Sequence, residues 1–169
     1  IREHYLPTGF DSKTPKKPFS IALALSDKLD TLVGFFGVNQ KPTSSKDPYA
    51  LRRLALGLIR LSVENNKEFK IKDLINYTLQ LYQEQGFEFD NKLVQKDLVE
   101  FLMDRLKYYM REKNIRIDII DSGLKSFGIN QITKIYKKSF VFNKLINKEI
   151  GINIISSYKR AFNILENEL

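Results

Sequence analysis

Apolar residues recur along most of the chain at three- and four-residue steps, and glycine, proline or short polar stretches break the pattern at intervals. From Phe19 onward Ile21, Leu25, Leu29, Leu32 and Phe36 fall on one helical face. Pro18 suits the first position of that helix, because the N–H it lacks would be unpaired there anyway. Gly34 and Gly37 are expected to loosen the helix end. After a loop with Pro42, Thr43, Ser44 and Ser45, Asp47 and Pro48 predict the N-cap and first residue of a second helix reaching about Asn65. Further helices are predicted over about 71–85, stopped by Gly86, over about 91–113, and over about 116–127, stopped by Gly128. Two more should span about 131–147 and 153 to the end. The stretch "INIIS", 152–156, is β-branched enough to compete as a strand, but a helix continuing into "YKRAFNIL" accounts for more residues.

The pattern therefore predicts an all-α, multi-helix bundle without internal repeats, and the loop near 67–70 is the expected border between two units, 1–66 and 67–169. No apolar run approaches the roughly 20 residues that cross a bilayer, so no membrane partner is expected. A start at Ile1, with a first element already under way, reads as a piece of a longer protein. With 43% hydrophobic residues the chain belongs to the folded class.

Chemistry is narrowed by what is scarce. With no cysteine, disulfides and thiolate metal sites are excluded, in keeping with a reducing cytoplasm. The single histidine, His4, leaves a Ser-His-Asp triad, a histidine pair or a multi-histidine zinc site without the groups it needs. No catalytic or metal-binding set is assigned. The carboxylates Asp27 and Asp30 lie one turn apart and offer either an acid/base or metal pair, or caps bridged to a lysine such as Lys28 or Lys41. His4 either joins an aspartate on a metal or packs at a helix end.

Charge is regional. Residues 1–104 carry 15 Lys/Arg against 14 Asp/Glu, residues 105–160 carry 13 against 4, and Glu166 and Glu168 follow, so the second stretch, at +9, outweighs the whole net charge of +8. Such a segment suits a polyanion, whose condensed counterions are released as phosphates are neutralised; the alternative is a solvated helical surface. Two groups of candidates follow. Lys41, Lys46, Arg52 and Arg53 surround the start of the second helix, where Asp47 already occupies the first-turn amides, so a phosphate would meet side chains and not the helix terminus. In "DRLKYYMREKNIR", Arg105, Lys107 and Arg111 alternate with Tyr108 and Tyr109, a texture suited to unstacked bases and phosphates, or one in which the tyrosines finish the core edge. Leu102, Leu106 and Tyr109 should face inward, leaving Arg105, Tyr108 and Arg111 nearer solvent. Lys159 and Arg160 complete the set on a helix whose apolar residues are Tyr158, Phe162 and Leu165.

The strings "REHYLP", "ALALSDKLDTLVGFFGV", "KPTSSKDPYALRRLALGLIRL", "FLMDRLKYYMREKNIRIDIIDSGL" and "SYKRAFNIL", in that order, resemble the C-terminal part of the beta subunit of bacterial glycyl-tRNA synthetase. The resemblance implies a cytoplasmic ligase of two alpha and two beta subunits. In it the alpha subunit holds the glycine and ATP site, with the magnesium it uses, and the beta subunit captures tRNA(Gly). It implies that 1–66 ends a helical region similar to HD phosphohydrolases and that 67–169 resembles the helical anticodon-binding domain of arginyl-tRNA synthetase, cut short at its end. This piece alone would then be inactive and hold no cofactor, and the nine basic residues would touch tRNA. Alternatives are a helical scaffold that docks the alpha subunit, or a remnant of the metal-dependent hydrolase with Asp27, Asp30 or His4 as orphaned ligands. Ser44 stands where the family usually has glycine, and Tyr49 where it has phenylalanine. If that loop needs a positive φ, Ser44 is strained; otherwise the change is silent.

Overall fold

Seven α-helices follow a short 3-10 turn at Arg2–Tyr5 in the computed structural model, which describes residues 2–146 and 148–167, without the side chains of Arg2 and Asn167. They are α1 (Pro18–Gly37), α2 (Leu51–Glu64), α3 (Ile71–Glu84), α4 (Asn91–Glu112), α5 (Ile117–Ser126), α6 (Ile132–Leu145, entered through a 3-10 turn at Ile129–Gln131) and α7 (Glu149–Asn167). No strand occurs among the described residues, and 152–156 is helical. The expected all-α bundle is thus observed.

Chain punctuation accounts for most boundaries. Gly86 takes φ +89° just beyond α3, a conformation that costs a glycine little. Asp90 caps α4 by accepting from the Leu93 amide at 3.0 Å. Two expectations need correction. Helix α2 begins three residues after Pro48, because Ala50 adopts a left-handed φ of 54° and turns the chain before Leu51. Asp47 still caps it from outside, accepting from the Leu51 amide at 2.8 Å and the Arg52 amide at 3.0 Å. Helix α7 starts four residues earlier than predicted, and its predicted last residues, 168–169, lie outside the described ones.

Gly34 lies within α1 and Gly37 is its last residue; a Cβ on Gly34 would come within 2.5 Å of the Tyr82 hydroxyl while one on Gly37 would run into the Phe89 ring. The glycines give room for aromatic side chains near the α3–α4 loop. Ser44 is not among the residues with positive φ, so its replacement of glycine is silent, and Tyr49 stacks on Phe35 with ring centroids 4.2 Å apart.

Helices α1, α2 and α4 pack against one another, with α3 against α1 and α4, and α5 and α6 closing the far side on α4 and α2. Leu32, Leu58, Leu61, Leu98, Leu102 and Leu106 are wholly buried at the centre, each worth about 1.5–3 kcal/mol relative to exposure. The buried set runs without a break from α1 to Ile146, so residues on both sides of 66/67 share one core.

Candidate nucleic-acid interface

A cleft of about 360 Å³ opens where the first turn of α2, the C-terminal half of α4 and the loop around Phe10 meet. Arg52, Arg53 and Arg105 line it together with Tyr108, Phe10 and Leu56, and among the described residues no carboxylate does. Each wall has a local cause. On α2 the Asp47 cap and the turn at Ala50 fix the first turn that carries Arg52 and Arg53. Asp47 thereby takes the amides that would otherwise attract an anion, leaving the guanidinium groups as the donors. Arg52 donates to the Thr43 carbonyl oxygen, whereas Arg53 is exposed and makes no ion pair among the described residues.

On α4 the buried sequence Leu98, Leu102, Leu106 and Tyr109 fixes the rotation of the helix, which turns Tyr108 outward and leaves Arg105 half-buried. The Arg105 guanidinium carbon lies 5.5 Å from the Tyr108 ring centroid and 5.9 Å from that of Phe101, close enough for cation–π attraction. Its Nε is buried with no hydrogen-bond partner among the described residues.

The third wall depends on Arg60. This buried guanidinium donates to the carbonyl oxygens of Gly9 and Ser12 and pairs with Glu64, with Nε and carboxylate oxygen 2.6 Å apart. It clamps the loop that presents Phe10. Neither Phe10 nor Leu56 figured among the sequence candidates, since nothing in the local pattern ties Phe10 to α2 or α4.

The other sequence candidates lie outside the cleft. Lys41 pairs with Asp97 of α4, not with Asp27 or Asp30, and so ties the α1–α2 loop to the bundle. Lys107 pairs with Asp121 of α5 at 2.7 Å. Lys46 and Arg111 are exposed, and so are Lys159 and Arg160 on α7.

A larger, mostly apolar cavity of about 730 Å³ is lined by His4, Asp27, Asp30, Leu74, Tyr77 and others. It unites the three residues considered as orphaned ligands, yet among the described residues no group of three or more His, Cys, Asp or Glu side chains is placed to hold a metal ion. Beside it Lys28 is buried and donates to the His4 carbonyl oxygen at 3.0 Å. Burial pushes the Lys28 ammonium below the usual lysine range, partly opposed by Asp27.

Residues 1–125 match the family model described as "Glycyl-tRNA synthetase beta subunit". The chain belongs to the glycyl-tRNA synthetase beta subunit family. All the cleft-lining residues lie within that matched stretch. Among relatives, the Glycine–tRNA ligase beta subunit of Cereibacter sphaeroides is 39% identical over 164 residues, 97% of this chain and 24% of that protein. Those of Ruegeria sp. and Rhodospirillum centenum are each 39% identical, over 96% and 99% of the chain and 22% and 23% of their own length. This family member therefore spans about a quarter of the curated relatives it matches. Similarity to them extends through α6 and α7, beyond the stretch matched by the family model.

Proposed function

We propose that this chain is a noncatalytic, tRNA-binding part of the beta subunit of a glycine–tRNA ligase. The observation that carries the reading is the carboxylate-free cleft, in which three arginines and two aromatic rings converge in a chain whose excess positive charge lies in 105–160. The arrangement suits a polyanion with exposed bases and holds no nucleophile–base pair. In this reading Lys46, Arg111, Lys159 and Arg160 extend the contact beyond the cleft, while Lys41 and Lys107 act through their ion pairs with Asp97 and Asp121. Residues 1–66 end the HD-like region and 67–169 form the anticodon-binding-type unit. Glycylation, with its ATP and magnesium, takes place on the alpha subunit of a cytoplasmic assembly of two alpha and two beta chains.

A second reading, a scaffold that docks the alpha subunit, is favoured by one observation: Ile150, Ile154, Tyr158, Phe162 and Leu165 on α7 are exposed. One titration separates the two. The chain is mixed with tRNA(Gly) and an anticodon-swapped copy across a salt series. Binding that weakens steeply with salt is expected, and discrimination of about 1–3 kcal/mol per altered base marks anticodon reading. Absence of RNA binding with retention of alpha-subunit binding would establish the scaffold instead.

A further inference from the structure

We infer that the Arg52–Arg53–Arg105 cleft accepts a single unstacked nucleotide of the bound RNA, its phosphate on the α2 arginines and its base against Tyr108 and Phe10. The inference rests on the RNA-binding reading and goes beyond it, because a groove that gripped only backbone would need no aromatic wall. Three observations separate the two. The cleft is small: about 360 Å³ lies near the lower end of the roughly 300–1,000 Å³ of small-molecule pockets, a scale for one nucleotide and not for a duplex. Its walls have two characters. Arg52 and Arg53 stand on the first turn of α2, whereas Phe10, Leu56 and Tyr108 supply apolar surface that gains nothing from a hydrated phosphate but accepts the face of a base.

The third observation concerns Arg105. Its guanidinium lies near both the Phe101 and Tyr108 rings, and its Nε has no hydrogen-bond partner among the described residues. Held there without a carboxylate partner among the described residues, it puts a positive charge beside the Tyr108 ring in the cleft, where it adds cation–π attraction for a stacked base. Tyr108 is 42% exposed and lines the cleft, so part of its surface is open to a ligand there. No base-edge reader is assigned, and the pocket should hold any base that can leave its stack.

The test compares the affinity of the full chain for tRNA(Gly) at several salt concentrations with that of Tyr108→Leu, Tyr108→Phe and Arg53→Ala, each checked for an unchanged melting curve. Tyr108→Leu should weaken binding roughly 5- to 100-fold at every salt concentration, leaving the slope of log affinity against log salt unaltered. Tyr108→Phe, which keeps the ring, should restore affinity. Arg53→Ala should lower the slope by about one. Wild-type binding that Tyr108→Leu leaves undiminished would overturn the nucleotide pocket and preserve the RNA reading. A wild-type chain that bound no tRNA would overturn both.

Discussion

Tyr109 of α4 is only 2% exposed and shows how one side chain couples the core to pH. Burial, reinforced by the negative charge of Glu64, pushes its hydroxyl well above the usual tyrosine range. Burial does the same to Tyr82 and Tyr136, with further contributions from Asp30 and Glu64 respectively. Above about pH 10, where an unfolded tyrosine loses its proton, the folded chain still holds these three, so it binds more protons than the unfolded one. Stability is therefore fully present below about pH 10 and lost as pH rises through the folded values. Denaturant midpoints at about pH 9 and pH 11 should fall with pH in the wild type and fall less in Tyr109→Phe. Lys28, whose lowered value acts in the opposite direction, is common to both proteins and cancels in the comparison.

At the scale of the element, close approach decides more than intrinsic preference. Alanine is ordinarily favoured over glycine inside a helix by about 1 kcal/mol. In α1, however, a Cβ on Gly37 meets the Phe89 ring, which is held among Tyr82 and Phe87 with centroids 5.3 and 5.9 Å away. Gly37→Ala should accordingly destabilise the chain by about 1–3 kcal/mol, measured by chemical denaturation, against the helix-propensity trend. The opposite sign would mean that the ring moves freely. Such elements also show what is legible in a sequence. Gly86, Asp90 and the α4 series Leu98, Leu102, Leu106 declare themselves through local chemistry and helical period. The left-handed turn at Ala50 does not, because alanine rarely adopts it and a Pro following an Asp reads more naturally as a helix start. The cleft was legible only in halves. Arg52 with Arg53 and Arg105 with Tyr108 stand out in their own segments, but their meeting, and the arrival of Phe10 between them, is a product of the α2–α4 crossing and the Arg60 clamp. The pairing of Lys41 with Asp97 and of Lys107 with Asp121 is likewise long-range and left no local trace.

Across the whole molecule, a dense core contrasts with an uncovered end. The centre of the bundle joins residues from both halves of the chain, whereas α6 exposes Val141, Phe142 and Leu145, and α7 exposes seven large apolar residues. On α7 only the region near Gly151 and Ile155 is drawn toward the body. Apolar surface of this kind predicts concentration-dependent association, seen as a rising weight-average mass in sedimentation. The double change Ile154→Ser with Phe162→Ser should reduce it without altering the melting of the core. A monomer at all concentrations would show that α7 does not self-associate.

Helix α7 also acts as an outrigger. Its 19 residues extend roughly 28 Å at about 1.5 Å each, and every described side chain from Ser157 to Glu166 is exposed. Lys159 and Arg160 thus ride roughly 15 Å along the helix from Glu149, nearly twice the screening distance of about 8 Å in physiological salt. Charges at the base of the helix are therefore largely screened at the position of this pair. Under the proposed RNA-binding reading, the two cations would bear on how often an encounter occurs, whether or not they belong to the finished complex.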